Sequence, residues 1–237
     1  MHCRLLLSPL FLAAVFTLPT ASAQDAQDLF VTPIPNMPFS GVVHVEESII
    51  QRNGSIADLK TIREIGRDSH GRIHNEAREY VKASSNKTPH LVRIHLYDPQ
   101  TRTSAFLNPQ QGTYRTQTTN HPPAAFPPDR RFSLPPGEGP QNEFADQEDL
   151  GTHDIEGEPA HGVRESQRIP AESSGTGKEV VITDEYWYSE DLRINLMVKH
   201  SDPRSGTVTL TVTQISRTEP DAGFFEIPAG YRPMRNY

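Results

Sequence analysis

The stretch EVVITDEYWYSEDLRINLMVKHSDPRSGTVTLTVTQIS, Glu179 to Ser216, decides the fold class. Its last part alternates strictly. Val208, Leu210 and Val212 fall on one side and Thr207, Thr209, Thr211 and Thr213 on the other, the period-2 pattern of a half-buried strand. Before it, Val180 to Tyr188 reads as a second strand, with Val181, Thr183, Glu185 and Trp187 on one face and Ile182, Asp184, Tyr186 and Tyr188 on the other. Ser189-Glu190 turns the chain. Leu192, Ile194, Leu196 and Val198 then face the core, and Arg193, Asn195 and Lys199 face water. Aromatic and β-branched pairs across such a hairpin contribute roughly 0.2–1 kcal/mol each. The competing reading makes Trp187, the only tryptophan of the chain, a platform for a sugar or a lipid.

Upstream the same logic repeats. Val43, Val45, Ile49 and Ile50 mark a strand, and Arg52-Asn53-Gly54-Ser55 carries the Asn-Gly signal of a tight hairpin. A return strand follows from Ile56 to Arg67, and a turn at Ser69-His70-Gly71 leads into Arg72 to Val81. There Ile73, Asn75 and Ala77 alternate with charged residues. Leu91, Arg93, His95 and Tyr97 alternate with Val92, Ile94 and Leu96 up to a type I turn at Asp98-Pro99-Gln100-Thr101. Short strands are expected around Ala105 and Tyr114, and two more turning at Glu156-Gly157-Glu158-Pro159. The C-terminal stretch is expected to make a helical turn at Pro220 to Gly223, with Phe224, Phe225 and Ile227 pinned to the core. About ten short strands predict a mainly β protein: a curved antiparallel sheet or open, incomplete β-barrel with little helix.

Residues 1–23 read as an export signal, with Arg4 as the positive region, Leu5 to Leu18 as the apolar core and Ala21-Ser22-Ala23 as the cleavage site. Pro9 and Pro19 interrupt the apolar stretch, which is shorter than the roughly 20 residues that span a bilayer. No stable transmembrane segment is expected after processing. Cleavage removes Cys3, the only cysteine, so no disulfide supports the mature fold. It also leaves 22 basic against 30 acidic residues, a formal charge of −8. An acidic chain argues against nucleic acid as a partner. The expected location is periplasmic or extracellular.

Residues 24–38, with Pro33, Pro35 and Pro38, read as an extended arm, and 39–237 as one β-rich domain. The domain is interrupted at 118–148 by a run with three Pro-Pro pairs, which cannot be central sheet because proline lacks the ladder amide. That run is a loop, a linker or a polyproline ligand for an envelope partner.

No catalytic constellation is evident. There is no G-x-S-x-G elbow, and Gly175-Thr176-Gly177-Lys178 lacks the first glycine of a phosphate loop. The histidines match no metal-ligand spacing, and Glu46-Glu47, Glu148-Asp149 and Glu190-Asp191 point to opposite strand faces. No cofactor and no metal are expected, and the chain reads as a non-enzyme.

YWYSEDLRINLMVKHSDPRSGTVTLTVTQI followed by FFEIPAGY resembles the C-terminal part of the periplasmic lipoprotein-carrier (LolA-like) superfamily and related exported bacterial proteins, over roughly residues 180–231. The matching positions are Trp187, Leu192, Gly206, Phe225, Pro228 and Gly230. The resemblance implies an incomplete antiparallel barrel whose concave face holds an acyl chain or another apolar small molecule. The arm at 24–38 departs from it, since the carriers open on an amphipathic helix. The expected function is an exported, non-enzymatic binding protein of the cell envelope with an apolar or amphiphilic ligand. Trp187, Glu185, Leu192 and Phe225 are its candidate ligand-binding residues. The alternative is a structural or interaction module that uses edge strands or the proline-rich run.

Overall fold

The computed structural model describes residues 31–119 and 145–234. The expected export signal, the start of the arm and most of the proline-rich run lie outside the described residues.

Two meanders build one sheet. The first comprises β1 (Phe39–Ile50), β2 (Ile56–Arg67), β3 (Ile73–Arg78), the two-residue β4 (Val81–Lys82), β5 (Leu91–Asp98), β6 (Thr103–Asn108) and β7 (Thr113–Thr118). The second comprises β8 (Ala145–Ile155), β9 (Glu158–Ile169), β10 (Val180–Ser189), β11 (Ile194–Asp202) and β12 (Gly206–Ser216). A 3-10 turn at Ala222–Phe225 and a short β13 (Arg232–Pro233) follow. The strand order is β13-β7-β6-β5-β3-β2-β1-β12-β11-β10-β9-β8, with β4 pairing β2. The sheet is not closed, as the open-sheet expectation required. β7 and β8 are consecutive in the chain yet lie at opposite ends of this order.

The seam is the antiparallel pair of β1 and β12, from Ser40 opposite Ser216 to Ile49 opposite Gly206. Directly opposed residues share a face, so Val43 meets Val212 and Val45 meets Leu210. With Ile65, Ile73, Leu196, Val198 and Phe39 they form a core that draws on both meanders. Turn chemistry matches the reading of the sequence: β2 begins at Ile56 after Gly54, whose φ is +80°.

Three local expectations are corrected. Asn195, expected in water, is only 4% exposed. A register shift in the β10–β11 ladder sets Trp187 opposite Met197 and Tyr188 opposite Asn195, leaving Leu196 without a direct partner. Such a bulge upsets strict alternation, and Trp187, Tyr188, Ile194, Asn195 and Leu196 are all buried. The strand expected to run to Val81 ends at Arg78, where a second shift breaks the β3–β5 register, and Val81–Lys82 pairs back onto β2. On the charged side of β3 both His74 and Glu76 are buried, His74 against Phe224 of the C-terminal segment and Glu76 bonded to Arg78 and the Glu64 amide. The 3-10 turn of that segment falls two residues later than expected, and Phe224 stacks on His74 with ring centroids 3.7 Å apart.

The described part of the arm packs firmly. Val31 joins the core, and the fully buried Arg67 guanidinium donates from Nε to Met37 O at 2.8 Å, from one terminal nitrogen to Thr32 O at 2.8 Å and from the other to Leu192 O at 2.7 Å. Burial pushes its pKa down to about 10. Arg67 thus ties the arm, β2 and the β10–β11 turn together. Among the described residues no helix is long and apolar enough to cross a membrane.

Candidate functional site

Of the four residues singled out from the sequence, Trp187 and Leu192 belong to the main core cluster, while Phe225 belongs to neither apolar cluster. Trp187 lies on β10, 8% exposed, directly opposite Gly162 of β9. A Cβ at Gly162 would stand 2.8 Å from the indole ring, so that glycine makes room for it. His153 of β8 meets the indole edge-on at 4.9 Å. Indole Nε1 donates to Glu185 Oε1 at 2.7 Å, which joins two of the four residues. Glu185 also accepts from Arg164, which in turn donates to Glu148. Burial raises the Glu185 pKa, but the bonds from Trp187 and Arg164 and the charges of Arg164 and Lys199 outweigh it and hold the carboxyl below its usual range. Leu192 is buried in the β10–β11 turn, its amide donating to Ser189 Oγ and its carbonyl accepting from Arg67. Phe225 sits in the 3-10 turn, edge-on to Phe224 and beneath the Arg72 guanidinium at 5.3 Å. Each of the four is engaged by the fold itself.

A different row stands out in the first meander. Ile65 of β2 is opposite Asn75 of β3, Asn75 opposite His95 of β5, His95 opposite Phe106 of β6, and Phe106 opposite Arg115 of β7. Ile65 is core, Asn75, His95 and Phe106 are half-buried, and Arg115 is exposed. The row therefore runs from the core outward on one face. His95 lies flat on Phe106, centroids 4.7 Å apart at 6°, and the Arg115 guanidinium lies over the Phe106 ring at 4.8 Å. His95 Nε2 and Ser104 Oγ share a hydrogen bond of 3.1 Å. Burial, and then the charge of Arg93, lower the His95 pKa, so the ring is neutral at neutral pH.

The opposite face of these strands is closed. Ile94, Leu96, Ala105 and Leu107 form a second apolar cluster covered by Ile227 and Tyr231 of the C-terminal segment. Arg232 then pairs with Thr113, and Pro233 with Tyr114, on the flank of β7. The stacked row is therefore on the face opposite the one that the described part of the tail covers. The signal for it was present in the alternation of Arg93, His95 and Tyr97 against Val92, Ile94 and Leu96. Its partners Phe106 and Arg115 depend on long-range register that no local pattern reveals.

Two other groups are accounted for by local bonding. Asp68, His70 and Glu219 could place one ligand atom each within 4.8 Å of one another. The Asp68 carboxylate is already taken by Arg72 Nε at 2.6 Å and by the amides of His70 and Arg72, and Glu219 accepts from Ser69. Asp184 and His200 form a 2.7 Å pair across β10 and β11. Beside it, burial and the charges of Asp184 and Glu165 push the Tyr186 hydroxyl pKa upward.

No protein-family model matches the chain, and no curated protein matches it. Solved structures do match. One is the MucA/MucB complex of Pseudomonas aeruginosa, at 14% identity over 81% of this chain and 56% of that chain, with a TM-score of 0.41. An uncharacterised conserved protein from Thermus thermophilus matches at 10% identity over 85% and 91%, with a TM-score of 0.41. LolA superfamily proteins are also among the matches. That of Nitrosomonas europaea gives 9% identity over 81% and 91%, with a TM-score of 0.32. The chain spans little more than half the length of the MucB chain it matches.

Proposed function

We propose that the chain is an exported, non-enzymatic binding protein of the cell envelope, which holds an amphiphilic or apolar small molecule against the face of its first meander opposite the C-terminal segment. The observation that carries this reading is the row Asn75, His95, Phe106 and Arg115. Stacked aromatic area there meets cationic surface on that face. Aromatic faces supply apolar contact at low conformational cost, and guanidinium groups supply polar orientation, which is the composition of small-ligand sites. The charged residues of the second meander are engaged with one another, as in Glu148–Arg164–Glu185 and Asp146–Arg168, which suits scaffold better than chemistry.

The edge-docking alternative has less support. The β8 edge carries Asp146, Glu148, Asp149 and Asp154 and a bulge at Leu150, devices that discourage strand addition. The other edge ends in β13 with Pro233, which has no amide to donate.

The test is purification without detergent followed by native mass spectrometry and solvent extraction. A co-purifying or back-exchangeable amphiphile is expected, and its consistent absence, with no binding of added amphiphile, contradicts the reading. N-terminal sequencing of the secreted form checks the export component, with Gln24 expected as the first residue.

A further inference from the structure

We propose that Arg93 and Arg115, placed on either side of the His95–Phe106 stack, seat the anionic headgroup, carboxylate or phosphate, of an amphiphile whose chain lies over Phe106 and Tyr97. This rests on the binding reading above and names the ligand class of the same site.

Charge pairing separates these two arginines from most of the others, and register separates them from the exposed Arg52, Arg102 and Arg232 by setting both on the face of the stack. Seven others face carboxylates: Arg72 with Asp68, Arg78 with Glu76, Arg164 with Glu185, Arg168 with Asp146, Arg193 with Glu190, Arg204 with Asp202 and Arg217 with Glu158. Arg93 and Arg115 differ. Both are exposed, and among the described residues neither forms an ion pair; Arg115 rests on the Phe106 ring instead. In a chain with 30 acidic residues, two exposed cations with no carboxylate partner among the described residues form a local positive site that complements an anion.

Placement follows from register. Arg93 shares the face of His95 and Tyr97, two residues along β5 from His95, and Arg115 is two strands away opposite Phe106. Strand spacing and rise put their Cα atoms about 12 Å apart, a separation two long side chains can close around one anion. The guanidinium fork matches carboxylate and phosphate oxygens two at a time. Asn75 and Ser104 add neutral hydrogen-bonding groups beside the stack. Inward along this face, Tyr97 packs against the core and Ile73 belongs to it, which gives a chain an apolar surface to follow.

The experiment is isothermal titration of the full mature chain with four probes below their micellar concentrations: dodecanoate, dodecyl phosphate, neutral dodecyl maltoside and inorganic phosphate. Wild type is compared with Arg93→Gln, Arg115→Gln and Arg115→Lys, each verified by an unchanged thermal melt. Saturable binding of the two anionic amphiphiles is expected, weakened about tenfold by each glutamine substitution. Lysine should retain part of the affinity, and binding of the maltoside should be weaker and insensitive to the substitutions. Equal binding of the maltoside, unaffected by either glutamine, overturns the headgroup seat while leaving amphiphile binding standing. Inorganic phosphate binding as tightly as dodecyl phosphate overturns the amphiphile in favour of a free anion. No binding of any amphiphile removes both the seat and the reading beneath it.

Discussion

Arg67, a charged residue, is the largest fully buried side chain among the described residues, because three backbone carbonyls and the Phe39 ring replace its water. At His95 the balance is reversed: burial and Arg93 oppose its charge. Among the described residues of β2, β3, β5, β6 and β7, the charged groups on its face are Arg63, Arg67, Arg93 and Arg115, all of one sign. Its folded pKa lies below the unfolded value of about 6.5. Its neutral form thus contributes stability fully above that value, and the contribution is lost as pH falls through the folded pKa. Urea unfolding at pH 7 and pH 5 should therefore show an acid-dependent loss of stability that is smaller in His95→Gln. An equal loss in both proteins removes His95 from the acid response. Among residues read from sequence, the hairpin nature of Trp187's segment was legible. Its bulge was not, because a register shift between Trp187 and Tyr188, like the φ of +56° at Arg193 and the close approach of the indole to Gly162 that accompany it, has no one-dimensional signature.

At the level of elements, the seam of β1 and β12 is the most demanding junction. Gly206 opens β12 with φ +124°, and a Cβ there would fall 1.8 Å from Ser48 O of the facing strand. No side-chain motion relieves a clash with backbone. Gly206→Ala should destabilise the protein by about 4 kcal/mol or more, measured by chemical denaturation, whereas a loss below about 1 kcal/mol would mean that the seam is not built as described. Most strands were readable from turn chemistry and alternation: the limits of β2 and the alternation of β12 follow directly from Asn53-Gly54 and the Thr/Val pattern. The burial of His74 was not readable, since it depends on a C-terminal segment 150 residues away whose Phe224 fits against Gly66.

For the whole molecule, strand order makes the two meanders interdependent. Val43, Val45, Ile65 and Ile73 from the first share one core with Leu196, Val198 and Leu210 from the second, and Arg67 reaches across to Leu192. Unfolding followed by Trp187 fluorescence, which reports on the second meander, and by far-UV circular dichroism, which reports on both, should give coincident transitions. Separate midpoints would show that the seam does not couple them. The open class of sheet was legible because the chain supplies many short strands and few helical periods. Which face would be covered was not, since both faces of β5 and β6 carry apolar residues and only the path of the tail decides between them.

Ligand binding on the face opposite the tail, and not at the Trp187 cluster, is tested most directly by chemical-shift mapping of the labelled protein during titration with dodecanoate. Perturbations are expected to centre on Asn75, Arg93, His95, Phe106 and Arg115, with Trp187 Nε1–H unmoved. Shifts centred on Trp187, Glu185 and His153 while the β5–β7 row stays silent would contradict it.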